Sequence, residues 1–292
     1  MYLCQVNRRV SCGACCGLYN VADAAYETLA AMLNERTKDF AHVPRQADAI
    51  AAFGQLGQLR SGAGPYSEFH HCPFVGLIGE DRRRVGCLLH PHADGNRGVD
   101  YRGMSYYGGM ACRLYFCPAH NRLSPVIKMV VRESAANWYD YGLVITESGL
   151  LHEFFTILEN RLGSPLRVTD ITGCKQCRQM MARVLRLKID WPFRRRPDPG
   201  ICHYMFDDRL YPKPALGYPS PTAAPSAYHA LLEELRSAFE TRSDLELAEK
   251  LLADLIDTLT EKILRNRHAR ACHSGEALNN SASRRYSSSV PS

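Results

Sequence analysis

The chain has 292 residues, 46% of them hydrophobic and 23% charged, and its formal net charge is +6. This length allows one large domain or two ordinary ones, and we expect two. Every apolar run is short and broken by charges, so no segment is expected to span a bilayer, and the N-terminal residues lack the apolar stretch of a signal peptide. We therefore expect a cytoplasmic protein without a membrane partner.

The charge is unevenly distributed along the chain. Residues 174–196 hold eight basic residues and the single acid Asp190, so this stretch alone carries +7. The rest of the chain is close to neutral, so positive charge is not spread over the whole surface as in many nucleic-acid-binding proteins. One local basic face remains. A solvated surface is the favoured interpretation of that face, and we expect no nucleic-acid partner.

Residues 1–122 are predicted to form an irregular cysteine-rich domain with short helices. Apolar residues at helical spacing predict two of these helices, one around Leu29 and Leu33 and the other around Ile50. Glycine is frequent in the rest of this region, as is typical of chain that turns often and presents its backbone closely. The aromatic rings of residues 101–116 are expected to shield thiolates from water.

Residues 123–210 are predicted to form a helical region. Its first helix begins after Ser124, a candidate N-cap that is followed by proline, and leads toward Trp138. The second has an apolar face and ends before Gly163, a residue type that commonly terminates helices. The third, over about residues 174–191, is amphipathic and basic.

The remaining segments complete a mainly α fold. Five prolines in residues 211–226 predict an extended linker. Residues 227–270 are predicted to form a helical hairpin, with one helix over 227–240 and a longer one capped by Asp244, packing on the body or on a second copy. The polar tail, residues 271–292, is expected to be disordered.

Twelve cysteines are present, and a string of seven begins in the opening segment SCGACC. In a reducing cytoplasm, clustered thiols are more often metal ligands than disulfides. Four soft ligands saturate a tetrahedral zinc or complete the set for one iron–sulfur cluster, so seven exceed the need of a single site. We therefore predict a centre that binds more than one metal atom. The predicted ligands are Cys12, Cys15, Cys16, Cys72, Cys87, Cys112 and Cys117.

The first three of these cysteines pose a geometric problem. Cys12 and Cys15 have the C-x2-C spacing of a metal half-site, because two such residues can turn back onto one ion. The adjacent Cys16 cannot direct its sulfur at the same tetrahedral centre as Cys15 without strain. A second metal, or a sulfur that bridges two metals, relieves this conflict.

The order of the cysteines resembles that of the YkgJ-like cysteine-cluster proteins, a family described as zinc- or iron-chelating domains. The resemblance covers about residues 10–118. Its first elements are a C-x2-C pair whose second cysteine is doubled, at residues 12, 15 and 16, and a cysteine–proline step at Cys72. A single cysteine follows at Cys87, and a C-R-x-(aromatic)-x-C motif ends the pattern at Cys117. It implies a metal-binding domain in which these seven thiols are the ligands.

One position departs from the family pattern. The family's opening commonly carries an earlier cysteine where this chain has Arg9, so Cys4 becomes a candidate for the first ligand. The family also includes proteins similar to flagellin lysine N-methylases, which implies a metal-dependent protein-modifying transferase as an alternative function. Asp100, Tyr101 and Arg102 are candidate acid–base groups by position alone, and the sequence has no recognisable methyl-donor loop.

Further thiols and imidazoles are candidate ligands. Cys174 and Cys177 repeat the C-x2-C spacing, and Cys202 with His203 would bring these donors to four. Packing of the cysteines as small core residues is the favoured interpretation of this pair. Among the histidines near the cluster, His90 is the preferred candidate because imidazole suits both zinc and iron.

These patterns together predict a cytoplasmic metal-binding protein whose cysteine cluster chelates zinc or iron, with a structural, metal-handling or redox role. The cysteine–proline steps at Cys72 and Cys117 favour an iron–sulfur cluster over zinc. The alternatives are the metal-dependent transferase and a zinc-stabilised module that binds nucleic acid through the basic helix. The expected partners are metal ions, and the C-terminal helices are candidates for a protein partner or self-association.

Overall fold

The computed structural model describes residues 2–62, 64–65, 70–195, 215–218 and 225–286, without the side chains of residues 61 and 272–286. Helices make up 57% of the structure, which confirms the mainly α class. The N-terminal helices are α1 (Tyr26–Ala41), α2 (Ala47–Ser61), α3 (Gly108–Leu114) and α4 (Ala119–Arg122). The later helices are α5 (Pro125–Ser134), α6 (Trp138–Ile145), α7 (Ser148–Leu162), α8 (Val168–Thr172), α9 (Lys175–Asp190), α10 (His229–Glu234) and α11 (Arg242–Tyr286).

The N-terminal region contains one element that the sequence did not predict, an antiparallel hairpin. Its strands are β1 (Val75–Ile78) and β2 (Arg84–Cys87), in a register that pairs Val75 with Cys87. Helix α1 packs on β1, and the predicted apolar residues Leu29 and Leu33 of α1 are fully buried there. Because each strand has only four residues and β2 contains a glycine, the periodicity was too short to be recognised.

The caps of the helical region agree with the sequence. The Ser124 side chain accepts a hydrogen bond from the Ile127 N–H (3.2 Å) at the start of α5, and Gly163 adopts the left-handed conformation at the end of α7. The first predicted helix, however, does not continue to Trp138. Asn137 begins a new helix there, because its side chain accepts the N–H groups of Tyr139 and Asp140 at 2.8 and 2.9 Å.

Helix α6 is buried along its whole length and contributes to two hydrophobic cores. Trp138, Tyr139 and Leu143 pack with α1, α2 and the hairpin, whereas Val144 and Ile145 pack with α5, α7, α9 and α11. The N-terminal segment also reaches the second core through its residues 3 and 10. Residues of the predicted cysteine-rich domain, 1–122, therefore share their packing with the helices that follow them.

The C-terminal helices pack on the body of the protein. Helix α10 contacts α7, and α11 runs along α9, α7 and α8. The predicted helix over residues 227–240 ends at Glu234, because Arg236 takes a positive φ of 57° and residues 237–239 pair with Arg194 and Gly217. Gly217 lies in the predicted linker, so the described part of that segment is docked.

Helix α11 continues past residue 270, where the sequence predicted a disordered tail. Its apolar residues Leu252, Ile256, Leu259 and Ile263 are buried against the body. Among the residues that the structure describes, no helix is both long enough and apolar enough to cross a membrane.

One of the charged residues of the predicted basic helix, α9, is buried. Lys188 is 1% exposed and lies in the buried stripe of α9 with Met181 and Val184. Its ammonium donates to the carboxylate of Glu147 on the other side of the core, at 2.5 Å, and Glu147 is 3% exposed. Burial lowers the pKa of Lys188, and the charge of Glu147 opposes that effect. The buried ion pair therefore joins α9 to the start of α7.

Replacing Lys188 with Met is expected to destabilise the fold by about 3–5 kcal/mol, because it removes the ammonium that donates to the buried carboxylate of Glu147. The double variant Lys188→Met/Glu147→Leu should recover most of this loss, since it removes both charges together. Urea unfolding followed by circular dichroism measures both values.

The exposed Lys175 of the same helix gives a matched control, and Lys175→Met should change the stability by less than about 0.5 kcal/mol. An unchanged urea midpoint for Lys188→Met would show that the buried pair contributes little to the fold.

Candidate metal centre

The N-terminal segment folds back on itself and brings Cys4 beside Cys12. The Cys12 N–H donates to the Cys4 carbonyl at 2.8 Å, and the neighbouring Gln5 and Ser11 form an antiparallel bridge. The loop between them carries the exposed Arg9. Arg9 therefore lies at an exposed loop, while Cys4 lies across this turn of chain from Cys12.

A tight turn follows and separates the next two cysteines. Residues 14–16 form a single turn of 3-10 helix, which Gly17 closes in the left-handed conformation at φ 71°. The sulfurs of Cys15 and Cys16 are hydrogen-bonded to each other. A Cβ atom at Gly17 would overlap the carbonyl oxygen of His70, so the turn is pressed against the chain that leads to Cys72.

The hairpin brings two more cysteines to this turn. The Cys72 N–H donates to the Cys16 carbonyl at 2.8 Å, which ties the start of the hairpin to the turn. Cys87 is the last residue of β2 and pairs with Val75, and Val75 follows Cys72 by three residues. The hairpin that was not predicted is thus the element that positions both cysteines.

The last two cysteines come from the segment around α3 and α4. Cys112 lies on α3, and its sulfur is 3.1 Å from the Ser105 hydroxyl. Cys117 immediately precedes Pro118, the N-cap of α4. Cys112 is exposed and Cys117 is half-buried, so this side of the cluster borders solvent.

Four of these thiols form a first group, which we define as Cys4, Cys12, Cys15 and Cys117. Burial is the largest influence on the pKa of Cys12, raising it well above the usual value, and the charges of the other three thiols raise it further. Cys4 is exposed as a residue, but desolvation of its sulfur raises its pKa to about 12, with contributions from Cys15 and Cys117. The pKa of Cys117 is raised by burial and then by Cys15. Each sulfur therefore lies within electrostatic range of the other three.

The remaining thiols form a second group, which we define as Cys16, Cys72, Cys87 and Cys112. Its hydrogen bond with Cys15, followed by burial and the charges of Cys72 and Cys87, raises the pKa of Cys16 well above normal. Burial raises the pKa of Cys72 to about 12 and that of Cys87 to about 11, and Cys112 contributes to both. The two groups meet at the Cys15–Cys16 hydrogen bond.

Four of the sulfurs accept a hydrogen bond from a backbone N–H at the same sequence spacing. The donor is the N–H two residues after the cysteine, as in the hydrogen bond from Ala14 to the Cys12 sulfur at 3.5 Å. Cys72 accepts from Phe74, Cys87 from Leu89 and Cys117 from Ala119 in the same way. Burial raises the pKa of these thiols and the amides oppose it, so the backbone is arranged to favour sulfur that carries negative charge.

The sulfurs are grouped without being in coordination geometry. Among the residues described, no three Cys, His, Asp or Glu side chains converge closely enough to hold a metal ion. The donor set nevertheless fits a soft metal, because each group offers four thiols and amide hydrogen bonds that stabilise thiolate. Ligation requires the side chains of each group to close in from their present positions.

Two histidines differ in what their rings offer. The Nδ1 atom of His90 accepts the His92 N–H at 3.2 Å, and its ring lies beside that of His92. His71 is buried, its Nδ1 is 2.7 Å from the Gly17 carbonyl, and its Nε2 has no hydrogen-bond partner in the described part of the chain. A carbonyl only accepts, so Nδ1 carries the hydrogen and Nε2 keeps its lone pair, which is the arrangement of a metal-binding histidine. No pattern in the sequence distinguishes His71 from the neighbouring histidines.

The candidate acid–base residues are engaged with one another. Asp100 accepts hydrogen bonds from Arg102 at 2.7 and 2.9 Å and forms an ion pair with Arg113 of α3 at 2.7 Å. The hydrogen bond from Arg102 holds the pKa of Asp100 far below its usual value. This ion-pair network fixes α3, and hence Cys112, to the preceding turn.

The aromatic residues near α3 cover the thiols only in part: Tyr107 lies within electrostatic range of Cys16 and Cys72, but other rings are exposed. Tyr106 is 72% exposed and stacks on His70 with ring centroids 4.2 Å apart, and Phe116 is 46% exposed. Of the further ligand candidates, Cys174 and Cys177 lie on α9, where Cys177 is part of the core, while Cys202 and His203 lie outside the described residues.

Replacing Gly17 with Ala is expected to disturb the turn that carries Cys15 and Cys16. The left-handed conformation costs alanine about 1–2 kcal/mol, and the overlap with the His70 carbonyl adds about 1–3 kcal/mol. Gly163→Ala is the matched control, because φ is 64° there and a Cβ would meet nothing within 4 Å. Thermal unfolding should show the larger loss for Gly17→Ala; equal losses would contradict the close packing.

No protein-family model, curated protein or solved structure matches the chain. The order of the cysteines and the geometry around them are therefore the observations on which a function can be argued.

Proposed function

We propose that this chain is a metal-binding protein whose cysteine cluster chelates zinc or iron at two neighbouring centres. The observation that carries the proposal is the collection of eight thiols from distant parts of residues 4–117 into two groups of four. Each group has the number of soft donors that saturates a tetrahedral zinc or completes the ligand set of one iron–sulfur cluster.

Electrostatics supports a bound cation at each group. Thiols that raise one another's pKa cannot all ionise in a half-buried site unless a positive charge lies among them. A divalent ion removes this conflict, because it displaces the thiol protons and neutralises the sulfurs. The amide hydrogen bonds to Cys12, Cys72, Cys87 and Cys117 would then act on thiolates, as they do in metal–thiolate proteins.

The grouping also accounts for the adjacent cysteines. Cys15 faces the first group and Cys16 faces the second, so neither residue has to share a tetrahedral centre with its neighbour. Cys4 completes the first group and takes the role of the cysteine that the family pattern has where this chain has Arg9. The resemblance to YkgJ-like proteins supports the same conclusion.

The structural consequence of binding would extend beyond the ligands. The Cys12 sulfur lies 4.0 Å from the Gly142 carbonyl of α6, and Cys12 packs against both hydrophobic cores. A metal at the first group would therefore fasten the N-terminal segment, α4 and the central helix together. This supports a structural role for at least that centre, whichever metal it holds.

The nucleic-acid alternative receives no support from the basic helix. Lys188 is buried with Glu147, and Arg186 forms ion pairs with Asp140 at 2.9 Å and with Asp190 at 2.8 Å. The transferase alternative likewise has no observation in its favour, because Asp100 and Arg102 are engaged with each other.

Protein purified without oxygen is expected to contain two metal centres per chain, measured by elemental analysis and a visible spectrum. Colour and acid-labile sulfide identify iron–sulfur clusters, whereas a colourless protein with stoichiometric zinc identifies zinc. Cys4→Ser and Cys112→Ser should each lower the metal content by about half, because each removes one ligand from a different group.

Cys174→Ser is the matched control, since it removes a thiol outside both groups, and it should keep the full metal content. Full retention of metal by Cys4→Ser would exclude Cys4 as a ligand. Complete loss of metal in both single variants would indicate one shared centre, and absence of metal from the wild-type protein after reconstitution would overturn the proposal.

A further inference from the structure

The first turn of α9 carries a pair of thiols that belongs to neither metal group. Cys174 is the N-cap of α9, and its sulfur accepts the N–H of Cys177 at 3.2 Å. Cys177 lies one turn later on the same face and is completely buried in the core, whereas Cys174 is half-buried. One sulfur is thus accessible at the surface and the other lies directly behind it.

The surroundings make the two thiols chemically unequal. Burial acts to raise the pKa of Cys174, but hydrogen bonds from the Cys177 thiol and from backbone amides, together with the charge of Arg270, lower it overall. Burial raises the pKa of Cys177 to about 12, with further contributions from Cys174. The accessible sulfur is therefore the more acidic of the two thiols and the buried sulfur the less acidic one.

Charged side chains from two other helices surround the pair. On α11, Arg270 donates to the Thr169 carbonyl at 3.0 Å, and Lys262 lies 3.4 Å from the side chain of Gln176, between the two cysteines in sequence. On α8, Asp170 faces Cys177 and raises its pKa, while Arg267 of α11 holds that carboxylate at 3.0 Å. Arg270 therefore acts on the accessible sulfur, whereas Lys262 and Asp170 act on the buried one and have opposite effects on its pKa.

We propose that Cys174 and Cys177 form a reversible redox dithiol that reduces disulfides of low-molecular-weight or protein thiols, with Cys174 as the attacking sulfur and Cys177 as the resolving one. A dithiol in a C-x2-C sequence at a helix N-terminus has the spacing that allows an intramolecular disulfide to close across the first turn. The inference does not depend on the metal centres, because neither thiol belongs to them.

The exchange balances in two steps. The Cys174 thiolate attacks one sulfur of the external disulfide, breaks its S–S bond and releases the first thiolate, which takes a proton from solvent. The Cys177 thiol then loses its proton and attacks the Cys174 sulfur of the mixed disulfide, which releases the second thiol. Two electrons pass from the protein dithiol to the external disulfide, and the protein is left with a Cys174–Cys177 disulfide.

The reaction leaves a distinctive product for mass spectrometry. The full-length protein is equilibrated with oxidised glutathione without oxygen, alkylated with iodoacetamide and digested with trypsin. Trypsin cleaves after Lys175, between the two cysteines, so their disulfide joins two separate peptides and is distinguished from any linkage in the N-terminal cluster. We expect this linked pair in the wild-type protein and its return to two free peptides on addition of reduced dithiothreitol.

Single variants test the assignment of the two sulfurs. Cys177→Ser should accumulate glutathione on Cys174, because no resolving thiol remains, and Cys174→Ser should leave Cys177 unmodified. In the reduced wild-type protein, iodoacetamide should modify Cys174 at least about tenfold faster than Cys177 at neutral pH. Equal rates at the two thiols would overturn the assignment.

The alternative role for Cys174 and Cys177 is that of two ligands to a metal ion. The same alkylation experiment distinguishes this role from the redox role. Protection of both thiols from iodoacetamide until a chelator is added would overturn the redox proposal, as would the absence of the linked peptides at every ratio of oxidised to reduced glutathione. The metal content of the N-terminal groups should be the same in Cys174→Ser and the wild type, so failure of either proposal is seen independently of the other.

Discussion

The concentration of eight thiols within one part of the fold is the constraint on which the structure of residues 4–117 depends. Neighbouring sulfurs help to raise the pKa of Cys4, Cys12, Cys16, Cys72 and Cys87, so these groups are stable either as neutral thiols or as thiolates neutralised by a cation. The backbone favours the second state, because amides two residues after four of the cysteines donate to sulfur. The irregular chain of this region follows from the same requirement, since loops and single turns can aim sulfurs in directions that one helix or strand cannot.

Helix α6 transmits this arrangement to the rest of the protein. Its residues contribute to both cores, and the hydroxyl of Tyr19 approaches it so closely that a side chain at Gly142 would overlap it. The Tyr19 hydroxyl donates to the backbone carbonyls of Trp138 or Tyr139, at 3.4 and 3.5 Å, immediately behind the turn that carries the thiols. The cluster and the helical region therefore form one packed unit, and stabilising the cluster stabilises both cores.

Sequence periodicity predicted the long helices because their apolar faces repeat over several turns, and caps such as Ser124 and Gly163 have local chemical signatures. It failed where distant partners decide the outcome. The role of Lys188 depends on Glu147 across the core, and the end of α10 depends on pairing with Arg194 and Gly217. At the candidate site, the order of the cysteines predicted seven ligands as a set. Their division into two groups, and the position of Cys4 beside Cys12, depend on the hairpins that bring separate segments together.

X-ray absorption at the metal edge of the purified protein tests this account most directly, because it counts the atoms around the metal without assuming which residues supply them. Two centres with four cysteines each predict a first shell of sulfur alone, at about 2.3 Å from zinc and with four sulfur ligands for each metal atom. The same shell composition should hold for iron, with an additional iron–iron distance if a cluster is present. A first shell dominated by nitrogen or oxygen would contradict the proposed centres.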